Sequence, residues 1–260
     1  MSDPDQAAVS SRPTPSDYRR WIEADARLLL DAACSAPQAP VPTCPGWTAR
    51  DVVDHTGEVY AHKVAAMRLG RRPQEGEWPW APDDDSVFGW FSDRLAELLH
   101  ELGSRDPASP AWTWFDEDQT VGFWARRMAH ETAIHRVDAE LAAGRSPTAH
   151  DEVLAVDGVD ELVGTFLASD DVLESEARDT GSCGTVLVDA GVRCWLLDLP
   201  DGGTDVTVPA RAVESDAQVA GSATDLYRAL WNRPTDGAVR RGGDAEVLRR
   251  LDARLRDATE

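Results

Sequence analysis

Lysine is almost missing from this chain of 260 residues: Lys63 is the only one, and the other 25 of its 26 lysines and arginines are arginine. Lysine and arginine together number 26 against 47 acidic residues, for a formal net charge of −21. A molecule so short of positive charge repels phosphate backbones and anionic headgroups, which argues against nucleic acid and membrane surfaces as partners. Arginine in place of lysine is also the codon usage of a GC-rich genome such as an actinobacterium's, which says nothing about mechanism.

Cysteine is scarce too. Cys34, Cys44, Cys183 and Cys194 form no CxxC pair, and in a reducing compartment they stay thiols. Cys44 is expected to be a buried, inert thiol rather than a nucleophile. No apolar run is long enough to cross a bilayer, and the opening "MSDPDQAAVSSRPTPSDY" lacks a basic stretch followed by an apolar one. The default expectation is a cytoplasmic protein.

What is present is an apolar content of 42%, enough for the core of one large domain or two ordinary ones. The composition divides the chain into a polar tail at 1–13, a helical part at 14–148 and a mixed part at 149–260, the first of these expected to be disordered. "TPSD" places a capping hydroxyl at Thr14, proline at the first helical position and Asp17 where it can bond back. The first helix should then bury Tyr18, Trp21, Ile22, Leu28 and Leu29 as far as about Cys34. Thr48 and Asp51 repeat the pattern for a second helix to Leu69, ended by Gly70. A third is read through Phe88, Phe91, Leu95, Leu98 and Leu102, and a fourth over about 120–143. Four such helices fit an antiparallel bundle. Beyond Pro147 come a helical segment, two short β-rich runs about a tight turn, further extended segments, and two closing helices.

The fourth helix carries ionisable residues where it should be apolar. Val121, Trp124 and Met128 define a three-and-four stripe that Glu131, His135 and position 138 continue. On the second helix, Val52, His55, Val59, His62 and Ala66 do the same. His55, Glu131 and His135 should therefore converge inside the bundle as a His₂Glu set, which binds zinc with one position open. Nickel, iron or manganese suit the same ligands. His62 faces the same way two turns on, about 10 Å by helical rise, and is read as pocket lining. His130 is rotated off this face, and "AHETAIH" is not HExxH, so a protease-type reading fails on spacing. The plainer alternative is that the inward His and Glu side chains only hydrogen-bond one another.

"TCPGWTARDVVDH" and "RMAHETAIHRVDAE" resemble the two signature segments of the mycothiol-dependent maleylpyruvate isomerase family, part of the DinB-like metal-binding bundles. "VAGSATDLYRALWNRP" and "GGDAEVLRRLDA" resemble that family's second domain, which is similar to sterol carrier proteins. The resemblance spans about 14–256. It implies an α+β chain, a DinB-like four-helix bundle followed by a small α/β sterol-carrier-like domain, with zinc on His55, Glu131 and His135. It also implies mycothiol as thiol cosubstrate for isomerisation of, or transfer to, a small electrophile. Arg233 in "LWNRP" matches a position where relatives usually carry arginine, and is expected to hold a substrate or cofactor carboxylate at the domain junction. A solvated arginine at a helix end is the alternative.

Trp78, Trp80, Trp112 and Trp114 are candidates to roof the pocket, and Trp47 to staple the turn into the second helix. The loops "EGEWPWAPDDD" and "AWTWFDEDQT" are long and acid-rich, which argues against maleylpyruvate itself as the substrate. Two other functions stay open: a metal-dependent hydrolase using bound water, and a non-catalytic metal-binding regulatory protein. Partners are expected to be small molecules, and the chain a monomer or homodimer.

Overall fold

Threonine side chains open three of the first four helices in the computed structural model, which describes residues 12–168, 184–200 and 203–259. Thr14 caps α1 (Pro15–Ser35) and Thr48 caps α2 (Ala49–Leu69), each in a reciprocal capping box with the acid three residues on. Thr120 accepts from the Phe123 N–H at the start of α4 (Val121–Ala142). Each such cap is worth about 1 kcal/mol. Helix α3 (Val87–Ser104) begins after Ser86 without a side-chain cap bond. Gly70 ends α2 in the left-handed conformation, φ 63°, with its N–H on the Ala66 carbonyl.

The chain divides into two compact units, one of them Pro13–Thr148 and the other containing everything from Ala149 onward. In the first, α1 packs chiefly on α4, and α2 packs on α3 and α4. Ile22, Leu29, Val53, Tyr60, Phe91, Leu98, Trp124 and Met128 fill its core. Two expectations need correction. Leu28 is 36% exposed, because the buried row of α1 runs through Ile22, Ala26, Leu29 and Ala33, and Leu28 lies about 100° off it. Helix α4 is not buried along one stripe only: Phe123, Arg127, His130, Ile134 and Arg136 are buried as well, since α1, α2 and α3 all pack against it.

The second unit begins with α5 (Glu152–Glu161), capped by Asp151, which runs on into a π-helical turn at Leu162–Phe166. Strands β1 (Thr185–Asp189), β2 (Cys194–Asp198), β3 (Asp205–Thr207), β4 (Ala217–Ala220) and β5 (Arg240–Gly243) form one mixed sheet in the order β3-β2-β1-β4-β5. β1 is antiparallel to β2, with Leu187 opposite Leu196, and parallel to β4, with Val188 opposite Val219. Helix α6 (Ala223–Leu230) lies between β4 and β5 in sequence, and α7 (Ala245–Thr259) follows β5. The absence of a side chain at Gly158 lets the Tyr227 ring lie directly against α5, and so brings α5 and α6 together.

Strand β5 was not anticipated, because all four of its residues are exposed and "RRGG" has neither alternation nor β-branched residues. The expected tail falls mostly at 1–11, and Cys183 also lies outside the described residues. Among the described residues no helix is long and apolar enough to cross a membrane, and Cys34, Cys44 and Cys194 are free thiols.

Candidate metal centre

Helix α2 carries His55 in its second turn, and α4 carries Glu131 and His135 one turn apart near its middle. His55 Nε2 lies 3.2 Å from Glu131 Oε1, and His135 Nε2 lies 3.4 Å from the same oxygen. One ligand atom from each of the three residues falls within 4.8 Å of the others. The imidazoles meet edge to face, with centroids 4.9 Å apart.

A ring of partners fixes these atoms. His135 Nδ1 is 2.9 Å from Asp138 Oδ2, and the fully buried Asp138 also accepts from Thr43 Oγ1 at 2.5 Å and Cys44 Sγ at 3.6 Å. With Nδ1 engaged by a carboxylate, Nε2 is the nitrogen left to act as a ligand. Arg127 Nη2 holds the other Glu131 oxygen at 3.1 Å. Trp47 sits over both imidazoles, 4.9 Å from the His55 ring and stacked 6.0 Å from that of His135.

The charges follow from this packing. Burial pushes the Glu131 carboxyl upward, but bonds from His135 and His55, with the Arg127 charge, outweigh it and hold the group well below its usual range. Burial likewise works against a charged His135, yet Asp138 and Glu131 raise its pKa to about 9. Glu131 is therefore a carboxylate at neutral pH.

The three sequence-derived ligand candidates are thus together. His62 lies two turns along α2, with its ring against Trp78 and Trp112 at 4.7 and 6.4 Å, and burial, Lys63 and Arg72 lower its pKa to about 4. Arg233 belongs to the second unit, where it is half-buried after α6 and donates from Nη1 to the Trp231 carbonyl at 2.6 Å. Trp114 packs between Phe115 and Phe123, and Trp80 is exposed beside Trp78. His130 is buried against Tyr18, away from the ligand group. Cys44 is half-buried rather than buried.

Sequence reasoning missed Asp138, Arg127, Thr43 and the placement of Trp47. Asp138 was within reach of it: an acid continuing a buried stripe three residues after a candidate ligand has a partner to find. Thr43 and Trp47 precede α2 in a loop, and nothing local announces that this loop returns to α4.

Residues 18–140 match the family described as mycothiol maleylpyruvate isomerase N-terminal domain. No match is found among curated proteins. Among solved structures, the chain resembles a mycothiol-dependent maleylpyruvate isomerase with a TM-score of 0.58 and 14% identity, over 90% of this chain and 95% of that one. A single-site mutant of such an isomerase matches with a TM-score of 0.56 and 13% identity, over the same shares. At that identity the likeness shows the fold, a helical bundle followed by a small mixed sheet with helices. The family match over residues 18–140 and the shared fold make this chain similar to the mycothiol maleylpyruvate isomerases.

Proposed function

We propose that this chain is a metal-dependent enzyme that uses a low-molecular-weight thiol, mycothiol, to isomerise or S-conjugate a small electrophile. The observation that carries this reading is the convergence of His55, Glu131 and His135 to within 4.8 Å, with the His55 side chain still 37% exposed. Three ligands that converge yet stay reachable suit a site that works on something, whereas a structural site is closed by a fourth protein ligand.

The donor set fits zinc: two imidazole nitrogens and one carboxylate oxygen. His135 would offer Nε2, held in orientation by Asp138, and Glu131 is already ionised. Zinc supplies Lewis acidity, lowering the proton affinity of a thiol brought to the open position so that thiolate is present near neutral pH. Arg127 steadies Glu131 from the side away from the histidines, and the Trp47 indole shields the two imidazoles on one face. His62, neutral at pH 7, would face the bound substrate two turns beyond His55 on α2.

The two similar solved structures are maleylpyruvate isomerases by name. In this chain the tryptophan-rich loops at 70–86 and 105–120 would set the electrophile. The setting proposed is cytoplasmic, the protein acting as a monomer or homodimer on small molecules rather than on nucleic acid or membranes.

Zinc-reconstituted protein, assayed with maleylpyruvate and a panel of other electrophiles, tests the reading. Turnover should require mycothiol and fall in Glu131→Gln by more than the roughly 10–100-fold typical of losing a residue that only orients a ligand. Turnover indifferent to thiol would replace it with the hydrolase reading.

A further inference from the structure

The chain's single lysine ends against the Trp124 ring just over two helical turns beyond His55, about 12 Å along the axis of α2. Lys63 Nζ lies 4.9 Å from the centroid of the Trp124 ring and 3.2 Å from His62 Nδ1. An ammonium group has three N–H donors and no acceptor, so His62 Nδ1 accepts and the imidazole is neutral. Two N–H groups of Lys63 remain. Among the described residues the lysine forms no ion pair, although acidic side chains outnumber basic ones by 47 to 26 in this chain.

A buried ammonium without a carboxylate partner is costly unless something else compensates it. Cation–π attraction to Trp124 offsets part of that cost. The charges around it are mixed: Glu131 on α4 attracts it, while Arg127 on α4 and Arg72 in the following loop repel it. Its two direct contacts, Trp124 and His62, are flat rings. Trp124 is fixed by donating from Nε1 to the Trp112 carbonyl at 2.8 Å, and His62 stands edge-on to Trp78 and Trp112. Lys63 keeps part of its surface open to solvent.

We propose that Lys63 is a specificity-determining residue: set between His62 and the Trp124 ring, it receives the anionic end of a planar, conjugated electrophile. The direction of that electrophile, with its reacting carbon toward His55, Glu131 and His135, rests on the metal and thiol reading above. The subsite itself does not. A bare packing role for Lys63 predicts no preference between charged and neutral ligands.

Calorimetric titration of the full-length, metal-free protein with 3,5-dinitrobenzoate and its neutral counterpart 3,5-dinitrobenzamide tests it without turnover. Wild type should bind the benzoate at least about 10-fold more tightly, the value of one charge-assisted hydrogen bond. Lys63→Met should bind both alike, and Lys63→Arg should keep the preference. Equal binding of the two by wild type, binding of neither, or a preference that survives in Lys63→Met overturns the proposal. If Lys63→Met fails to fold, the wild-type comparison still decides. A benzoate preference in a protein that shows no thiol-dependent turnover would sink the metal and thiol reading and leave this subsite standing.

Discussion

Asp138 Oδ2 lies 2.9 Å from His135 Nδ1, and this contact decides which imidazole nitrogen faces Glu131. Asp138 is fully buried and is itself gripped by Thr43, so a segment preceding α2 helps to set the ligand on α4. A ligating histidine whose second nitrogen is held by a carboxylate has its tautomer and ring orientation fixed in advance.

Asp138→Asn should therefore weaken zinc binding by about 10–100-fold while leaving all three ligands in place. Competition against a chromogenic chelator measures this directly. An unchanged affinity would mean that the contact only fills space.

Tyr60 and Thr132 join α2 to α4 close to the centre, with their hydroxyl oxygens 2.6 Å apart and both residues fully buried. Thr132 donates onward to the Met128 carbonyl, so Tyr60 is the donor in the shared bond. Tyr60→Phe leaves a buried oxygen short of a donor and should lower stability by about 1–2 kcal/mol in urea denaturation.

A methyl group added at Gly158 would be driven into the Tyr227 ring across the α5–α6 contact. Gly158→Ala should cost about 1–3 kcal/mol through overpacking, despite the better helix propensity of alanine. A lowered melting temperature checks it, and a raised one would show that α6 yields.

Lys63 gives a pH dependence with a definite sign. Burial first, with Arg127 and Arg72 against the pull of Glu131, lowers its pKa from 10.5 to about 8, while His62 beside it stays neutral. Between these two values the unfolded chain holds more protons than the folded one, so this lysine's contribution to stability rises with pH across that window. Its burial penalty is fully present below about pH 8. Wild type should therefore gain stability relative to Lys63→Met on going from pH 7 to 10 in denaturant titrations, and its preference for dinitrobenzoate should fade as pH rises through about 8.

Much of this architecture could be read locally. The capping boxes at Thr14 and Thr48 lie within four residues of sequence, and the inward turn of His55, Glu131 and His135 follows from helical periodicity alone. What escaped depends on distant chain. Helix α4 is buried nearly all round because three helices pack on it, which one stripe cannot show. Trp47 was read as a staple for its own turn, yet it lies against the His135 ring of another helix. Strand β5 pairs with β4 through its backbone, and its exposed side chains carry no periodic signal.

The central claim, a metal held by His55, Glu131 and His135 that receives a thiol, is tested most directly by the absorption spectrum of cobalt-substituted protein titrated with mycothiol. One cobalt ion per chain, with a near-ultraviolet thiolate-to-metal charge-transfer band that grows as mycothiol is added and is missing in Glu131→Gln, is the predicted result. Cobalt that binds in the same proportion to Glu131→Gln, or a spectrum that mycothiol leaves unchanged, would contradict it.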